Sequence, residues 1–350
     1  MTKRVTIKDI ASQVGVSVTT VAKAINNQAR ISEDTRQAVL NAAQQMGYKP
    51  NRTARAMASN EMNLAVIYPA LPREFILYLE EGFHRAAEEL ADFRVNIKLL
   101  SYTNLNAADQ VDDYLRQLVE PTQRIQGFIL FASRHEDLYQ NRLHQIAKQG
   151  IPFIYIVSEG NSPDALGTIR LNSEITGAMA AQFLQMTIPV SRPVMILVGT
   201  KELKVHSRCV DGFMRQAKKM NLRVGGVFET NDDKDVAYYL TDNLNRDWPD
   251  MAGIYVASYN SVGVCQWYED HGRKGEVKII GHDLYPALAE KLEAGSLSAT
   301  LFQDQYEYGR KSLHYLFEYL TGSRKKEDCT KLMTPQLVMQ SNLSSYRNSY

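Results

Sequence analysis

From residue 63 onward, short apolar runs alternate with longer stretches in which apolar positions recur at helical spacing. The runs have the length of buried strands, and they read NLAVIYP, VNIKLL, GFILFA, PFIYIV, PVMILVG, LRVGGVF, AGIYVA and EVKIIGHD. Continuously apolar strands that alternate with helices are typical of parallel sheets covered by helices on both faces. The pattern therefore predicts an α/β fold for residues 62–343.

The number of predicted strands indicates two lobes, because about ten strands fit two sheets better than one. We expect an N-lobe of about residues 62–160 and 293–322 and a C-lobe of about residues 161–292 and 323–343. The loop from Glu159 to Asp164, rich in Gly, Ser, Asn and Pro, is the expected crossover between them. Open parallel sheets bind ligands at the carboxyl ends of their strands, so we expect a binding cleft between the lobes.

The first 50 residues show three short amphipathic helices instead. Apolar spacing predicts a first helix over residues 7–14, which Gly15 ends. Ser17 and Ser32 are favourable N-caps for a second and a third helix. Two short helices joined by a glycine-containing turn, with a third beside them, make a helix-turn-helix. We therefore predict an all-α DNA-binding domain over residues 1–50.

Charge is distributed unevenly along the chain. Residues 1–60 hold nine Lys or Arg against three acidic residues, a charge of +6, whereas the rest carries −5 and the whole chain +1. Such asymmetry favours a head that binds a polyanion on a neutral to acidic body. The alternatives are a merely solvated basic face or a three-helix interaction domain with no role on DNA.

The second helix exposes Val18, Thr19 and Lys23 on its outer side. Val and Thr are poor helix formers, but short side chains let a helix end approach base edges in the major groove. A Thr hydroxyl can hydrogen-bond any base, a Val methyl can touch a thymine methyl, and Lys23 can reach guanine or phosphate.

The head resembles the DNA-binding domain of the lactose-repressor (LacI/GalR) family over residues 4–59, through TIKDIA, GVSVTTV, IN, ISEDTR, GYKPN and RTAR. The resemblance places Val18, Thr19 and Lys23 where the family reads bases. It places contacts to the DNA backbone at Ser17, Thr20 and Asn26. Ala22 stands where the family usually has Ser, which removes one phosphate hydrogen bond.

A hinge helix and linker are expected over residues 51–61 by the same resemblance, with Asn51, Arg52, Arg55 and Met57 at DNA-contacting positions. Met57 replaces the family's leucine that enters the minor groove. An unbranched apolar side chain can unstack a base step while nearby arginines neutralise phosphates. The alternative is a linker methionine that packs on its own chain.

The body resembles the family's sensor domain, which is similar to periplasmic sugar-binding proteins, through AGIYVAS, IIGHD and ATLFQDQYEYGRKS. The resemblance implies that Phe75 packs on a sugar face, that Asp283 accepts hydrogen bonds from ligand hydroxyls, and that Gln303 lies at the cleft edge. The alternatives are a structural turn aspartate for Asp283 and a core phenylalanine for Phe75.

The sequence departs from the family's pattern at two places. In SRCVDGF, Cys209 occupies the position of a usual arginine, with Arg208 one residue earlier and His206 close by. Either Arg208 still reaches the ligand or the effector is recognised differently, and His206 could be an ordinary surface histidine. Ser258, Tyr259 and Asn260 replace the Asn-Asp pair that is common in the family after this strand. These changes argue against a standard pyranoside or purine effector.

The sequence contains no motif for metal binding, covalent catalysis or nucleotide binding. The three cysteines are scattered, the seven histidines form no metal-like set, and no nucleophile, phosphate-loop or dinucleotide motif occurs. We therefore expect no cofactor, no metal and no enzymatic activity. With no secretory leader and no apolar run of about 18 residues, we expect a cytoplasmic protein without membrane contact.

Together these features predict a homodimeric transcriptional regulator that binds a pseudo-palindromic operator and a small effector, a sugar or sugar derivative. Repression of carbohydrate-use genes is what the resemblance implies. The alternative is a sugar-binding protein or an α/β enzyme with a vestigial head.

Overall fold

The computed structural model describes residues 7–25, 31–46, 61–189 and 191–346, and the chain divides into two compact units, residues 1–60 and 61–350. In the first unit, the three predicted helices are confirmed as α1 (Ile7–Val14), α2 (Val18–Ile25) and α3 (Glu33–Gln45).

The predicted caps begin the second and third helices. Ser17 Oγ accepts a hydrogen bond from the backbone N–H of Thr20 at 3.0 Å, and Ser32 Oγ accepts one from Thr35 at 3.3 Å. Gly15 ends α1 with a φ of 73°, in the left-handed region that glycine adopts without strain. The core that these helices share contains Ile10, Ala11, Val21, Ala24, Val39 and Ala42.

The second unit alternates strands and helices. Its strands are β1 (Met62–Pro69), β2 (Val95–Tyr102), β3 (Ile125–Leu130), β4 (Phe153–Val157), β5 (Gly167–Leu171), β6 (Val194–Val198), β7 (Val224–Glu229), β8 (Gly253–Val256), β9 (Lys278–His282), β10 (Ala299–Phe302), β11 (Lys331–Met333) and β12 (Gln336–Val338). Its helices are α4 (Arg73–Glu89), α5 (Ala108–Leu118), α6 (Gln140–Lys148), α7 (Ser173–Thr187), α8 (Lys204–Lys219), α9 (Lys234–Asp247), α10 (Ser261–Asp270), α11 (Pro286–Ala294) and α12 (Gln305–Leu320). Short 3-10 segments cover Ala91–Phe93, Glu136–Leu138, Lys326–Asp328 and Gln340–Tyr346.

The strands form two sheets, as predicted. Within the described part of the second unit, the orders are β11-β5-β4-β3-β1-β2 and β12-β10-β9-β8-β6-β7. Pairing is parallel except between β10 and β12. Helices cover both faces of each sheet, so the strands are buried on both sides, which explains their continuous apolar runs.

The observed sheets correct the predicted lobe boundaries. β5 lies in the first sheet and β10 in the second, so the chain changes lobe after Leu171, after Phe302, and again between β11 and β12. The N-lobe therefore includes β5, α12 and β11, and the C-lobe includes β10 and β12. The boundaries predicted at 160 and 293 were wrong because loop composition does not say which sheet the next strand joins.

The predicted crossover at residues 159–164 is a loop within the N-lobe. The carboxylate of Glu136 accepts hydrogen bonds from the backbone N–H groups of Asn161 at 2.8 Å and Ser162 at 3.2 Å, and from the Tyr155 hydroxyl. This buried acceptor holds the polar loop against β4. The loop therefore returns to the same sheet.

Glycine sets the distance between α7 and α8. A Cβ at Gly177 would lie 1.8 Å from the backbone oxygen of Cys209, and one at Gly212 would lie 2.1 Å from the backbone oxygen of Glu174. The two helices therefore touch backbone to backbone. This contact positions the N-terminal half of α8, which faces the cleft between the lobes. Among the described residues, no helix is long and apolar enough to cross a membrane.

Candidate functional site

The residues predicted to read DNA bases lie at the outer side of α2. Val18 is 39% exposed, Thr19 is exposed, and Lys23 is half-buried one turn later. Ser17 and Thr20 are joined by a 2.8 Å hydrogen bond between their hydroxyls at the helix start. Five further predicted contacts, Asn26, Asn51, Arg52, Arg55 and Met57, lie outside the described residues.

A cavity of about 650 Å³ lies between the two lobes, at the carboxyl ends of the strands of both sheets. Its N-lobe wall comes from the start of α4 and the ends of β2, β3 and β4, and its C-lobe wall from the start of α8 and the ends of β7, β8, β9 and β10. The volume is that of a typical small-molecule site. The predicted position of the cleft is thus confirmed.

Of the residues predicted for the effector, Phe75, His206, Ser258, Tyr259, Asp283 and Gln303 all line this cavity. Phe75 is 8% exposed and meets Phe131 edge to face, with ring centroids 6.4 Å apart. It therefore serves the core and the cavity wall together. Ser258 is buried at the end of β8, beside Asn260.

Asp283 is a buried carboxylate in the C-lobe wall of the cavity. Its Oδ1 accepts hydrogen bonds from Gln303 Nε2 at 2.5 Å and from Gln305 Nε2 at 2.8 Å. Its φ of 68° places it in the left-handed region, where aspartate is tolerated and most residues are strained. Burial raises the pKa of Asp283 to about 6, and the charge of Asp232 adds to the rise against the hydrogen bond from Gln303.

Two histidines of the cavity are held neutral. Burial lowers the pKa of His282 to about 3, and Tyr255 Oη lies 2.7 Å from its Nε2. Burial also lowers the pKa of His206, although the carboxylate of Asp232 acts in the opposite direction. His206 Nδ1 lies 3.0 Å from the backbone oxygen of Thr200. Neutral imidazoles can both donate and accept, which suits hydroxyl ligands.

Tyr259 lines the cavity and links the two lobes. Its hydroxyl donates to Glu74 Oε2 at 2.6 Å, and its ring stacks on Tyr285 with centroids 4.6 Å apart. Burial raises the pKa of the Tyr259 hydroxyl, and the hydrogen bond to Glu74 adds to the rise, so the phenol stays protonated as a donor. Tyr259 lines the cavity from the C-lobe, so it is a second aromatic wall residue on the lobe opposite to that of Phe75.

Arg208 does not line the cavity, contrary to one of the two predicted alternatives. Its guanidinium pairs with the carboxylate of Glu159, which also pairs with Arg170. Burial raises the pKa of Glu159, but these cations outweigh it and the net direction is down. On a helix, one residue is a rotation of about 100°. Cys209 faces the cavity instead, with its pKa raised by burial to about 12, so it is a neutral thiol.

Several polar residues that line the cavity were not among the predicted effector contacts, and they include Glu74, Arg134, Asp232 and Asn260. Each lies in a loop or first helical turn that follows a strand's carboxyl end, which is the only signal that could have found them. In total, three cations and five carboxylates line the described cavity wall, namely Arg73, Arg134, Lys234, Glu74, Asp232, Asp233, Asp235 and Asp283. The site is therefore net acidic. The described residues contain no group of three His, Cys, Asp or Glu side chains that could hold a metal ion.

Two family models match the chain. Bacterial regulatory proteins of the lacI family match residues 6–51, and the periplasmic binding protein domain matches residues 64–324. The HTH-type transcriptional repressor PurR of Actinobacillus pleuropneumoniae serotype 3 is 24% identical over 96% of this chain and 97% of its own length. Catabolite control protein A of Priestia megaterium is 23% identical over 90% and 92%.

Solved structures share the fold of the second unit. An ABC transporter solute-binding protein from Burkholderia graminis, in complex with D-arabinose, superposes with a TM-score of 0.73 at 18% identity, over 83% of this chain and 99% of that one. The structure of a Bacteroides fragilis protein named as a LacI transcriptional regulator superposes with a TM-score of 0.69 at 19% identity, over 82% of this chain and 100% of that one.

Proposed function

The chain belongs to the periplasmic binding protein domain family and carries a lacI-family regulatory head, and we propose that it represses carbohydrate-use genes under control of a small hydroxylated effector. It is a transcriptional regulator of the type that its relatives named PurR and catabolite control protein A represent. The observation that carries the effector proposal is the cavity of about 650 Å³ between the lobes, with aromatic walls and a buried carboxylate.

For the head, we propose that Val18, Thr19 and Lys23 read bases in the major groove. Their outward position on α2 supports this role, since short side chains let the helix approach base edges. Ser17, Thr20 and Asn26 are assigned to contacts with the DNA backbone. On the hinge, which begins at Asn51, Arg52 and Arg55 neutralise phosphates and Met57 enters the minor groove. Of these residues, Asn26 and the four of the hinge lie outside the described structure.

For the sensor, the effector stacks on Phe75 or Tyr259 and hydrogen-bonds Asp283 and Gln303. A hydroxyl-rich ligand needs apolar faces together with a few paired polar groups, because each buried polar group left unpaired costs about 1–3 kcal/mol. His206 and Ser258 supply further hydrogen bonds. Arg208 is not part of this set, because its guanidinium pairs with Glu159.

Effector binding controls DNA affinity through the relative position of the lobes. Polar contacts already cross the cleft, namely Tyr259 with Glu74, Lys204 with Asn161, and Arg208 with Glu159. A ligand that contacts both lobes stabilises their approach and shifts the population of that state. We further propose a homodimer on a pseudo-palindromic operator, because each head reads one half-site. The proposed protein acts in the cytoplasm and has no enzymatic activity.

The test is fluorescence-anisotropy titration of the full chain on labelled promoter DNA, with and without sugars, polyols, nucleosides and sugar phosphates. We expect salt-sensitive, sequence-selective binding that a neutral sugar or polyol weakens. Binding that a compound strengthens would assign a co-repressor instead. If no promoter is bound selectively at low salt, the regulator proposal is wrong and the second unit must be tested as a binding protein.

A further inference from the structure

Two oppositely charged side chains, one from each lobe, face each other in the cavity without forming a hydrogen bond. Arg134 lies in the N-lobe after β3, and Asp232 lies in the C-lobe after β7. Arg134 Nη2 and Asp232 Oδ2 are 3.6 Å apart, which is within ion-pair distance but beyond hydrogen-bond distance. Both side chains line the cavity, at 20% and 30% exposure.

The backbone around Asp232 places its carboxylate there. Asn231 and Asp232 have φ values of 53° and 57°, and the N–H of Asp233 donates to the oxygen of Thr230 at 3.0 Å. This is a tight turn with two successive left-handed residues, a conformation that Asn and Asp tolerate better than other non-glycine residues. A Cβ at Gly199 would lie 2.0 Å from Asp232 Oδ1. Only glycine at the end of β6 leaves room for the carboxylate.

The backbone of Arg134 is held in place by a hydrogen bond within the N-lobe. Its backbone N–H donates to the oxygen of Leu105 at 2.8 Å. Its Nε is buried and has no hydrogen-bond acceptor among the residues whose structure is described. A buried guanidinium N–H without a partner is rare in a native protein and indicates a missing acceptor. The neutral imidazole of His206 lies in the field of both charges, since Asp232 raises and Arg134 lowers its pKa.

We propose that Arg134 and Asp232 form a clamp that binds neighbouring hydroxyl groups of the effector across the cleft and selects an uncharged polyhydroxylated ligand. A hydroxyl accepts from a guanidinium and donates to a carboxylate, so two adjacent hydroxyls satisfy both partners at once. The clamp rests on the proposed function, because it needs a ligand in this cavity.

The clamp also explains why Cys209 is tolerated where the resemblance leads one to expect an arginine. The cavity receives its guanidinium from the N-lobe, through Arg134, instead of from α8. Because Asp232 faces that guanidinium, an anionic ligand group beside Arg134 would be attracted by the guanidinium but repelled by the carboxylates of Asp232 and Asp283. Phosphate esters and uronates of the preferred ligand should therefore bind at least about 10-fold more weakly than the neutral compound.

The experiment is isothermal titration calorimetry on the full chain. The probe is the compound with the largest thermal shift from a panel of aldopentoses, aldohexoses and alditols with their phosphate esters and uronates. Arg134→Gln and Asp232→Asn should each lose about 10- to 100-fold in affinity, as expected for one hydrogen bond to a charged group. Arg134→Lys should retain part of the affinity, because it keeps the cation.

Matched controls lie outside the cavity. Arg85→Gln removes an arginine that pairs with Glu89 at 3.1 Å on its own helix, and Asp109→Asn removes an exposed carboxylate. Both should change affinity less than about 3-fold, and all variants should keep their ligand-free melting temperature within about 3 °C.

Three outcomes overturn the clamp. Ligand affinity that is equal in Arg134→Gln and in the wild type refutes it while leaving the proposed function intact. A phosphate ester or uronate as the tightest ligand refutes the selection of a neutral effector. If no compound of the panel binds the wild type, the proposed sugar effector fails, and the clamp fails with it.

Discussion

Asp283 makes a pH-dependent prediction about the stability of the sensor domain. Burial raises the pKa of its carboxyl group from 3.8 to about 6. At 1.36 kcal/mol for each pH unit, this rise corresponds to about 3 kcal/mol by which the folded state disfavours the ionised form. The cost is absent below pH 4, where the carboxyl is protonated in both states, and is complete above pH 6.

Replacing Asp283 with asparagine removes this cost and keeps the shape. Asparagine tolerates the φ of 68°, and its carbonyl still accepts from the amides of Gln303 and Gln305. We therefore expect Asp283→Asn to gain stability over the wild type as pH rises from 4 to 6, by up to about 3 kcal/mol at pH 7. The buried histidines contribute to both proteins alike, so they cancel in the difference.

The assay is urea unfolding of the ligand-free full chain and of Asp283→Asn at half-unit steps from pH 4 to pH 7.5. The control is Asp235→Asn, at an exposed aspartate of the same cavity wall, for which the difference should stay flat. A difference between Asp283→Asn and the wild type that does not change with pH refutes the desolvation argument. So does a variant that becomes relatively less stable as pH rises.

Three further predictions concern other parts of the chain. Lys23→Ala should change base preference by about 1–3 kcal/mol in a binding-site selection assay, whereas Lys8→Ala on α1 should weaken all DNA sequences alike; unaltered preference in Lys23→Ala would contradict base reading. Gly177→Ala should lower the free energy of unfolding by about 1–3 kcal/mol, because its Cβ would meet the Cys209 oxygen at 1.8 Å, and a neutral effect in chemical denaturation would show that the helices can separate freely. Tyr259→Phe should weaken effector binding about 5-fold by calorimetry, since it removes the hydrogen bond to Glu74 across the cleft. Unchanged affinity would show that this contact between the lobes does not contribute to effector binding.

Local features of the fold could be predicted because they depend on neighbouring residues. Ser17 and Ser32 cap helices through atoms three residues away, and the apolar runs became strands because both faces of each sheet are covered. The lobe crossing at Leu171 could not be predicted in this way. It depends on Glu136, more than 20 residues distant, whose carboxylate fixes the polar loop that the composition suggested as the crossover.

The candidate site was predictable where one strand end carries the residue, and not where two lobes meet. Asp283 follows β9 directly, and Ser258 lies one residue beyond the end of β8 at Val256, so a strand pattern locates both. The direction of Arg208 depends on Glu159 in the other lobe, and the facing of Arg134 and Asp232 depends on two turns far apart in the sequence. Contacts across a cleft have no local signature in the chain.

The contacts between the lobes suit a sensor that responds to its ligand. Those named here are polar and partly exposed, and pairs of that kind each contribute about 0–1 kcal/mol. The ligand-free lobes are therefore held together only weakly, and a ligand that adds about 3 kcal/mol to the closed state alone shifts its population about 150-fold. Such a ligand must bind both walls at once. Phe75 and Arg134 on one lobe and Asp232 and Asp283 on the other are the residues whose simultaneous contacts can supply that energy.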